Sequence, residues 1–431
     1  MKIDYHKYNI KLLEDAMSLV SDIRKLGYEA YAVGGCVRDL VRYDLRQSDM
    51  LDIHDVDIAT NMPIDSLKKQ YATRSNNGEK HGTILVLHCG EAFEVTQFRN
   101  DGEYSDGRHP DSVTFAKTFR EDASRRDFTI NAMGLDDNGE VVDYFDGVVD
   151  IVHRRVRTVG DPDQRFGEDA LRMIRALRFA NVFGYSLDKD TADSIKRNAD
   201  KLDGLTLERV RKEFMSVVSR GNFYTFVNMV LDLDIMHHIK ALSQCNKMSL
   251  LSALPRMYAR TFLTEHAPKV LLNERNLVPV LAFLSHSPYQ TLESLVPTRE
   301  EKDLFQWYVQ NKHVVDSGNW ETSWTDAVRF ISGDFVTLIA ATGYTVERCS
   351  DFAIRLQTAL FLKDNHTDPA DIRKKVASMG IAPGKEYGEA VRRLTEEDYA
   401  RRAKQVPPTI AITIGNTIVH YAMDWTEPNK C

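Results

Sequence analysis

The sequence predicts an α+β chain, with a small mixed β-sheet and helices on one face near the N-terminus, followed by helices to the end. Three observations point there. Short runs rich in strand formers stand at 29–33, 83–89 and 92–97. The last two flank a short turn, Cys89-Gly90-Glu91, and read as a hairpin. From about Ile151 the strand signals fade and apolar residues step by three and four.

Composition bounds the rest. The 431 residues leave room for two to four domains. Hydrophobic content of 43% and charged content of 28% fit a soluble globular chain. No run of 18 apolar residues appears, so no membrane partner is expected. The first residues lack the apolar core of a signal peptide, which sets a cytoplasmic expectation. Five cysteines, at 36, 89, 245, 349 and 431, are odd in number and irregularly spaced, against a disulfide framework or a zinc site. A net charge of −7 gives no global case for nucleic acid. Residues 151–220, however, hold 15 Lys+Arg against 11 Asp+Glu. A basic stretch in an acidic chain follows phosphates or is simply a solvated helical surface.

In chain order, residues 8–26 place Ile10, Leu13, Met17, Val20, Ile23 and Leu26 on one helical face, with Gly27 at the C-cap position. Glu29 to Val33 is a short strand. Gly34 and Gly35 end it, and Cys36 to Val41 begins a helix. A strand, a glycine turn and a helix N-terminus present free N–H groups suited to phosphate, although such a turn is also an ordinary connection. Next, Asp55 and Asp57 flank Val56. In a strand, residues i and i+2 share a face, and paired carboxylates repel unless a cation or a proton intervenes. Hard oxygen ligands suit magnesium; a solvated strand edge is the plainer alternative.

Gly34-Gly35-x-Val37-Arg38-Asp39 followed by Asp55-Val56-Asp57 resembles the class II tRNA nucleotidyltransferases, a branch of the polymerase-β-like superfamily. That branch contains CCA-adding enzymes and bacterial poly(A) polymerases. The resemblance implies that Gly34, Gly35, Arg38 and Asp39 shape a triphosphate site and that Asp55 and Asp57 hold two Mg2+ ions. Tyr43 to His54 is longer than usual for the branch, but this insertion leaves those residues untouched.

Met62-Pro63-Ile64 opens a helix to Tyr71. On the second hairpin strand, Glu94 is either a surface residue or, by the resemblance, a third metal carboxylate. His81-Gly82-Thr83 also resembles a family feature, or is simply a loop meeting a strand. Arg99 to Pro110 has two Asp-Gly steps and a Pro, so it is a loop. In CCA-adding enzymes a loop here is needed for the terminal A. Arg125-Arg126-Asp127-Phe128-Thr129-Ile130-Asn131-Ala132-Met133 reads as a helix start capped by Asp127 or, by close resemblance, as a ribose-recognition motif using Arg126, Asp127 and Asn131. Asp143 to Gly147 resembles the junction between head and neck.

Phe166 to Phe179 reads as one helix with Leu171, Ile174 and Leu177 on a stripe. Asp169 and Arg172, three apart, make an ion pair worth about 0.2–0.5 kcal/mol on the plain reading. The resemblance implies instead that Glu168-Asp169-x-x-Arg172 selects the incoming base, with Arg175 reaching the triphosphate. Leu207 to Phe214 resembles a motif that braces the neck. His237-His238 reads as helix surface. The expected division is a catalytic head at 1–150, a nucleotide-selecting neck at 151–221, a helical body at 222–330 and a tRNA-binding tail at 331–431.

The resemblance thus implies addition of C, C and A to the tRNA 3′ end from CTP and ATP, with no stable protein partner. CC-only or A-only addition, poly(A) synthesis, and non-catalytic tRNA binding are the alternatives.

Overall fold

The computed structural model describes residues 1–74, 79, 82–101, 113–245, 247–248, 250–251, 254, 274, 276–317, 362, 367–404, 409–414 and 417–422. His81, most of the loop predicted at 99–110 and the boundary expected near 330 lie outside them. The chain divides into two units: Met1–Glu213 with Thr225–Ile239, and Phe214–Tyr224 with Lys240–Cys431.

The first unit is built on a seven-stranded sheet. Its strands are β1 (Ala30–Val33), β2 (Asp57–Thr60), β3 (Ala72–Arg74), β4 (Thr83–His88), β5 (Glu91–Gln97), β8 (Met133–Leu135) and β9 (Val141–Asp143), in the order β3-β4-β5-β2-β1-β8-β9. Every ladder is antiparallel except β2–β5, so the sheet is mixed as the sequence predicts. The predicted hairpin is β4–β5, closed by Cys89 and Gly90 with positive φ.

Alternation sorts the two faces. Ile84, Val86, Phe93 and Val95 are fully or almost fully buried. The predicted N-terminal helix, α1 (Lys11–Lys25), packs against β1, β4 and β5 and buries Leu13, Met17, Val20 and Ile23. Each such side chain contributes about 1.5–3 kcal/mol by leaving water. Helix α2 (Gly35–Asp44) follows β1, and α3 (Ile64–Gln70) packs on β3 and β4.

The opposite face is covered over part of its width, by α4 (Phe119–Ser124). This helix starts at a capping box that the motif reading passes over: Thr118 Oγ1 accepts from Glu121 N–H while Glu121 accepts from Thr118 N–H. Phe119 and Ala123 then pack with Tyr31, Val33, Ala59, Phe98 and Ala116. Phe119 lies so close to Gly134 that a Cβ there would come within 2.8 Å of its ring. The short strands β6 (Arg99–Asp101) and β7 (Val113–Phe115) pair at the base of the predicted loop.

Beyond α5 (Gly147–Val152) the chain is mainly helical. A two-residue parallel ladder, β10 (Arg155–Val156) with β11 (Ser186–Leu187), interrupts it. The helices are α6 (Pro162–Glu168), α7 (Leu171–Phe183), α8 (Lys189–Arg197) and α9 (Leu207–Arg220). The single helix expected over 166–179 is therefore two. Asp169 is extended, with φ −150° and ψ 106°, and its Oδ1 accepts from Leu171 N–H at 3.0 Å. A carboxylate that offers the backbone a local acceptor starts a second helix instead of continuing the first. The stripe of Leu171, Ile174 and Leu177 is buried as expected.

The insertion after α2 has a structural task. Gln47 donates to the Ile151 carbonyl at 2.8 Å and accepts from Tyr185 O–H at 2.7 Å. It ties the end of α2 to α5 and to the residue before β11. His237 and His238 lie in a 3₁₀ turn, where His238 Nδ1 meets Asp203 at 3.1 Å. Cys36 and Cys245 are buried free thiols; burial pushes Cys245 up to about 12.

The second unit contains the helices Lys240–Ser243, Leu277–Phe283, Pro288–Ser294, Arg299–Ser317, Pro369–Ser378 and Lys385–Ala403. Its C-terminal end adds a hairpin to the helical pattern: Thr409–Ile414 pairs with Thr417–Ala422. No helix among the described residues is long and apolar enough to cross a membrane.

Candidate active site

The site is laid down by pairing register. Val33, the last residue of β1, faces Asp57, the first of β2. Gly34 follows at φ 76° and ψ −133°, a conformation nearly confined to glycine, and caps the start of α2. A Cβ on Gly34 would sit 3.8 Å from both Asp57 Oδ2 and Arg126 Nη1. The glycine turn, a carboxylate and a guanidinium thus converge at one end of the sheet.

The parallel β2–β5 ladder pairs Ile58 with Val95, so Asp57 and Glu94 lie side by side on one face. Both are solvent-accessible, as is Asp55, while Val56 between the two aspartates is buried. The alternation expected of 55 and 57 is present, although β2 itself begins at Asp57. Asp57 sits at the floor of this corner. Partial loss of hydration pushes its carboxyl up to about 6; Glu94 and then Asp55 add to the effect, and Arg126 opposes it. No group of three or more His, Cys, Asp or Glu among the described residues is already assembled to hold a metal ion.

A connected ion network backs this corner. Asp122 is fully buried and binds Arg125 at 2.8 Å and Arg126 at 3.0 Å. It also accepts from the Arg99 backbone, where the predicted loop begins. Arg38 is buried. Its Nε and Nη2 bind Asp39, and its Nη1 donates to Asn131 Oδ1 at 2.8 Å. Asn131 donates in turn to Asp127 at 3.1 Å, and Arg175 donates to Asp127 at 2.6 and 3.0 Å. Burial alone would raise the Asp127 carboxyl, but Arg175 and the Asn131 hydrogen bond outweigh it and hold the group at about 2. Glu213 closes the chain, 3.6 Å from Arg175 and 2.5 Å from Arg178.

Asp127 is therefore not a helix cap. Its Oδ1 accepts from Phe128 N–H and Asn131, while the 3₁₀ turn Thr129–Asn131 has no side-chain cap. That turn is fixed by Asp150, fully buried, which accepts from Thr129 Oγ1 at 2.7 Å and binds Arg155 and Arg157.

The side chains of Asp169 and Arg172 do not pair with each other, although Arg172 N–H donates to the Asp169 carbonyl at 3.0 Å. Asp169 Oδ2 accepts from Arg209 at 2.8 Å. Arg172 donates to Glu168 at 2.5 Å, to the Arg165 carbonyl at 3.2 Å and to the Arg125 carbonyl at 3.4 Å. The last bond places Arg172 one residue from Arg126. The α6–α7 corner thus leans on the Arg126–Asn131 segment.

Among the sequence-predicted residues, Asp57, Glu94, Gly34 and Arg126 meet directly. Arg38, Asp39, Asn131, Asp127 and Arg175 form the network behind them. Gly35 opens α2 beside the Arg38 guanidinium. Arg209 and Glu213 lie within the Leu207–Phe214 segment expected to brace the neck, whereas Asp122 and Asp150 were not singled out by motif. Only Asp122, three and four residues before the paired arginines, has a local signal.

Comparison with known proteins finds two matching families and a shared fold. Residues 30–157 match the family described as the Poly A polymerase head domain, and residues 184–245 match a probable RNA- and SrmB-binding site of polymerase A. A CCA-adding enzyme of Lactobacillus helveticus is 42% identical over 226 residues, 51% of this chain and 54% of the relative. One from Limosilactobacillus reuteri is 44% identical over 211 residues, 49% of this chain and 51% of the relative. These matches span about half the length of each relative. Among solved structures, the CCA-adding enzyme of Bacillus stearothermophilus in complex with CTP is similar with a TM-score of 0.63 and 25% identity, covering 92% of this chain and 94% of that one. The Thermotoga maritima CCA-adding enzyme complexed with tRNA shares the fold, with a TM-score of 0.62 at 17% identity and coverage of 92% and 96%. By these matches, residues 30–157 are a Poly A polymerase head domain and residues 184–245 an RNA-binding segment of that polymerase, on a fold shared with CCA-adding enzymes.

Proposed function

We propose that this protein adds C, C and A to the 3′ end of tRNA from CTP and ATP, releasing pyrophosphate. The observation that carries the reading is the meeting of Gly34, Asp57, Glu94 and Arg126 at the start of α2.

The first N–H groups of α2 have no intrahelical acceptor and face this corner, which suits a triphosphate. Arg126 offsets negative charge beside Asp57. Asp55 and Asp57 would hold divalent ions, with Glu94 as a third carboxylate. Their oxygens suit Mg2+, which needs few protein ligands when phosphates and water supply the rest. A bound cation would offset both the lost hydration and the neighbouring carboxylates that raise Asp57. When bound, such ions favour attack by the terminal 3′ hydroxyl and offset charge on the leaving pyrophosphate. Asn131 and Asp127, locked by Arg38 and Arg175, position the ribose.

Base choice falls to Asp169 and Arg172. Each Asp169 oxygen keeps a free lone pair beyond the bonds to Leu171 N–H and Arg209. Arg172 uses three of its five N–H donors in its described bonds. Cytosine and adenine each present an amine beside a ring-nitrogen acceptor, matching a carboxylate and a guanidinium. Guanine and uracil present a carbonyl and a ring N–H and leave both unpaired, at about 1–3 kcal/mol each.

The matched head family is described by poly(A) polymerase, so poly(A) synthesis is the second reading. Reaction of CCA-lacking tRNA with each NTP, followed by sequencing of product ends, separates the two. Ends of CCA support the proposal; long A tails favour the second reading; no incorporation overturns both.

A further inference from the structure

Four directly neighbouring residues run in a row across the sheet from the candidate metal site. Asp57 lies beside Glu94, Glu94 pairs with Leu85, and Leu85 pairs with Arg74. Paired residues project from the same face, so all four side chains leave the sheet on one side. The next row on that face is Ala92, Leu87 and Ala72.

Among the described residues, most of this half of the face is open. Arg74, Ala72, Ala92 and Glu94 are exposed, and Leu85 and Leu87 are half-buried. The buried apolar residues of β4 and β5, namely Ile84, Val86, Phe93 and Val95, all belong to the other side; on the shelf's own face only Thr83, at one end, is buried. Over β1 and β2 the same face is closed: Tyr31, Val33 and Ala59 lie under Phe119, Ala123, Phe98 and Ala116. A chain whose end sits at Asp57 therefore finds Arg126 and α4 on one side and an uncovered shelf on the other. The shelf is apolar in its middle, and Arg74 is the one cation among its described side chains. Three strand spacings separate Asp57 from Arg74, about 14 Å, which a short single strand spans.

We propose that this shelf carries the last nucleotides of the RNA being extended, with Arg74 holding a backbone phosphate and Leu85 and Leu87 supporting the sugars and bases. The proposal rests on the reading of the protein as a tRNA nucleotidyltransferase. Phosphate is the complement of a lone exposed guanidinium, and apolar side chains tolerate any base, as a site that meets a changing 3′ end requires.

The test is steady-state CTP incorporation into CCA-lacking tRNA at several salt concentrations, with CTP binding measured separately by equilibrium dialysis. Arg74→Glu is expected to raise KM for tRNA roughly tenfold and to flatten its salt dependence by about 0.7 in log–log slope, the value for one single-strand phosphate. CTP affinity should stay at the wild-type level, and Arg74→Lys should restore most of the loss. Ala92→Glu, two strands away on β5, should raise KM for tRNA independently of Arg74. An active wild type whose KM for tRNA and salt slope are unmoved by both acidic variants overturns the shelf and leaves the function standing. Weakened CTP binding in Arg74→Glu also overturns it, assigning Arg74 to the nucleotide. A wild type that incorporates nothing overturns the functional reading itself.

Discussion

Arg175 donates two hydrogen bonds to one carboxylate oxygen of Asp127, at 3.0 and 2.6 Å, across 48 residues of sequence. The pair joins the segment before β8 to α7, and Asn131 and Glu213 extend it on either side. Two partly buried charges satisfy each other here, so removing either leaves the other unpaired.

Asp127→Ala should therefore destabilise the protein by about 3–5 kcal/mol, the usual cost of breaking a buried pair from one side. Asp127→Ala combined with Arg175→Met should recover part of that loss. Urea midpoints of the two single variants and the double variant give the coupling energy.

The same carboxyl sets an acid limit. Asp127 is held at about 2 in the folded state, against 3.8 for an ordinary aspartate. A lowered carboxyl stabilises the fold above its unfolded value and loses that contribution as pH falls toward 2. The wild type should lose on the order of 2 kcal/mol between about pH 5 and pH 2 from this group. Asp127→Asn should lack that part of the slope. Urea unfolding at intervals from pH 7 to pH 3 shows whether the gap between the two proteins narrows.

Asp57 carries the opposite sign. Its carboxyl is raised to about 6, so the folded state favours the protonated form. Stability from this group is present below the unfolded value and is lost as pH rises through 6. Without divalent ions, Asp57→Asn should melt higher than wild type at pH 8, and the difference should vanish near pH 4. Adding Mg2+ should raise the melting temperature of the wild type but not of the variant. Nucleotide incorporation by Asp57→Asn should fall below detection.

Arg209 should govern base selection through Asp169. Arg209→Ala removes the 2.8 Å bond that orients the Asp169 carboxylate. Discrimination of CTP against UTP should fall roughly tenfold to a hundredfold in Asp169→Ala, and by a smaller factor in Arg209→Ala. Ratios of kcat/KM for the two nucleotides measure both. Unchanged ratios in Asp169→Ala would remove it from base reading.

Gly34→Ala should cost about 1–3 kcal/mol of stability, because φ 76° with ψ −133° strains any residue carrying a Cβ. The added methyl would also stand 3.8 Å from Asp57 and Arg126, so KM for CTP should rise. Thermal melts and CTP titrations check the two effects separately.

Much of this site was legible because its signals are local. A strand, two glycines and a helix start define the turn at Gly34, and alternation around Val56 defines the two aspartates. The hairpin β4–β5 and the stripe of Leu171, Ile174 and Leu177 follow from spacing alone. The break at Asp169 was hidden because apolar residues keep helical spacing across it, while the interruption comes from one carboxylate turned onto Leu171 N–H. Asp150 was hidden for another reason: a buried acid shows its purpose only through partners that the fold brings near. The C-terminal hairpin did have a signal, two β-branched runs around Gly415-Asn416, which the helical expectation for the tail passes over.

The parallel ladder between β2 and β5 has a kinetic consequence. It joins segments separated by a complete hairpin, so Asp57 and Glu94 become neighbours only after that long closure is made. A nascent or unfolded chain lacks this pairing, so the approach of the Asp57 and Glu94 carboxylates reports how far this half of the sheet has matured.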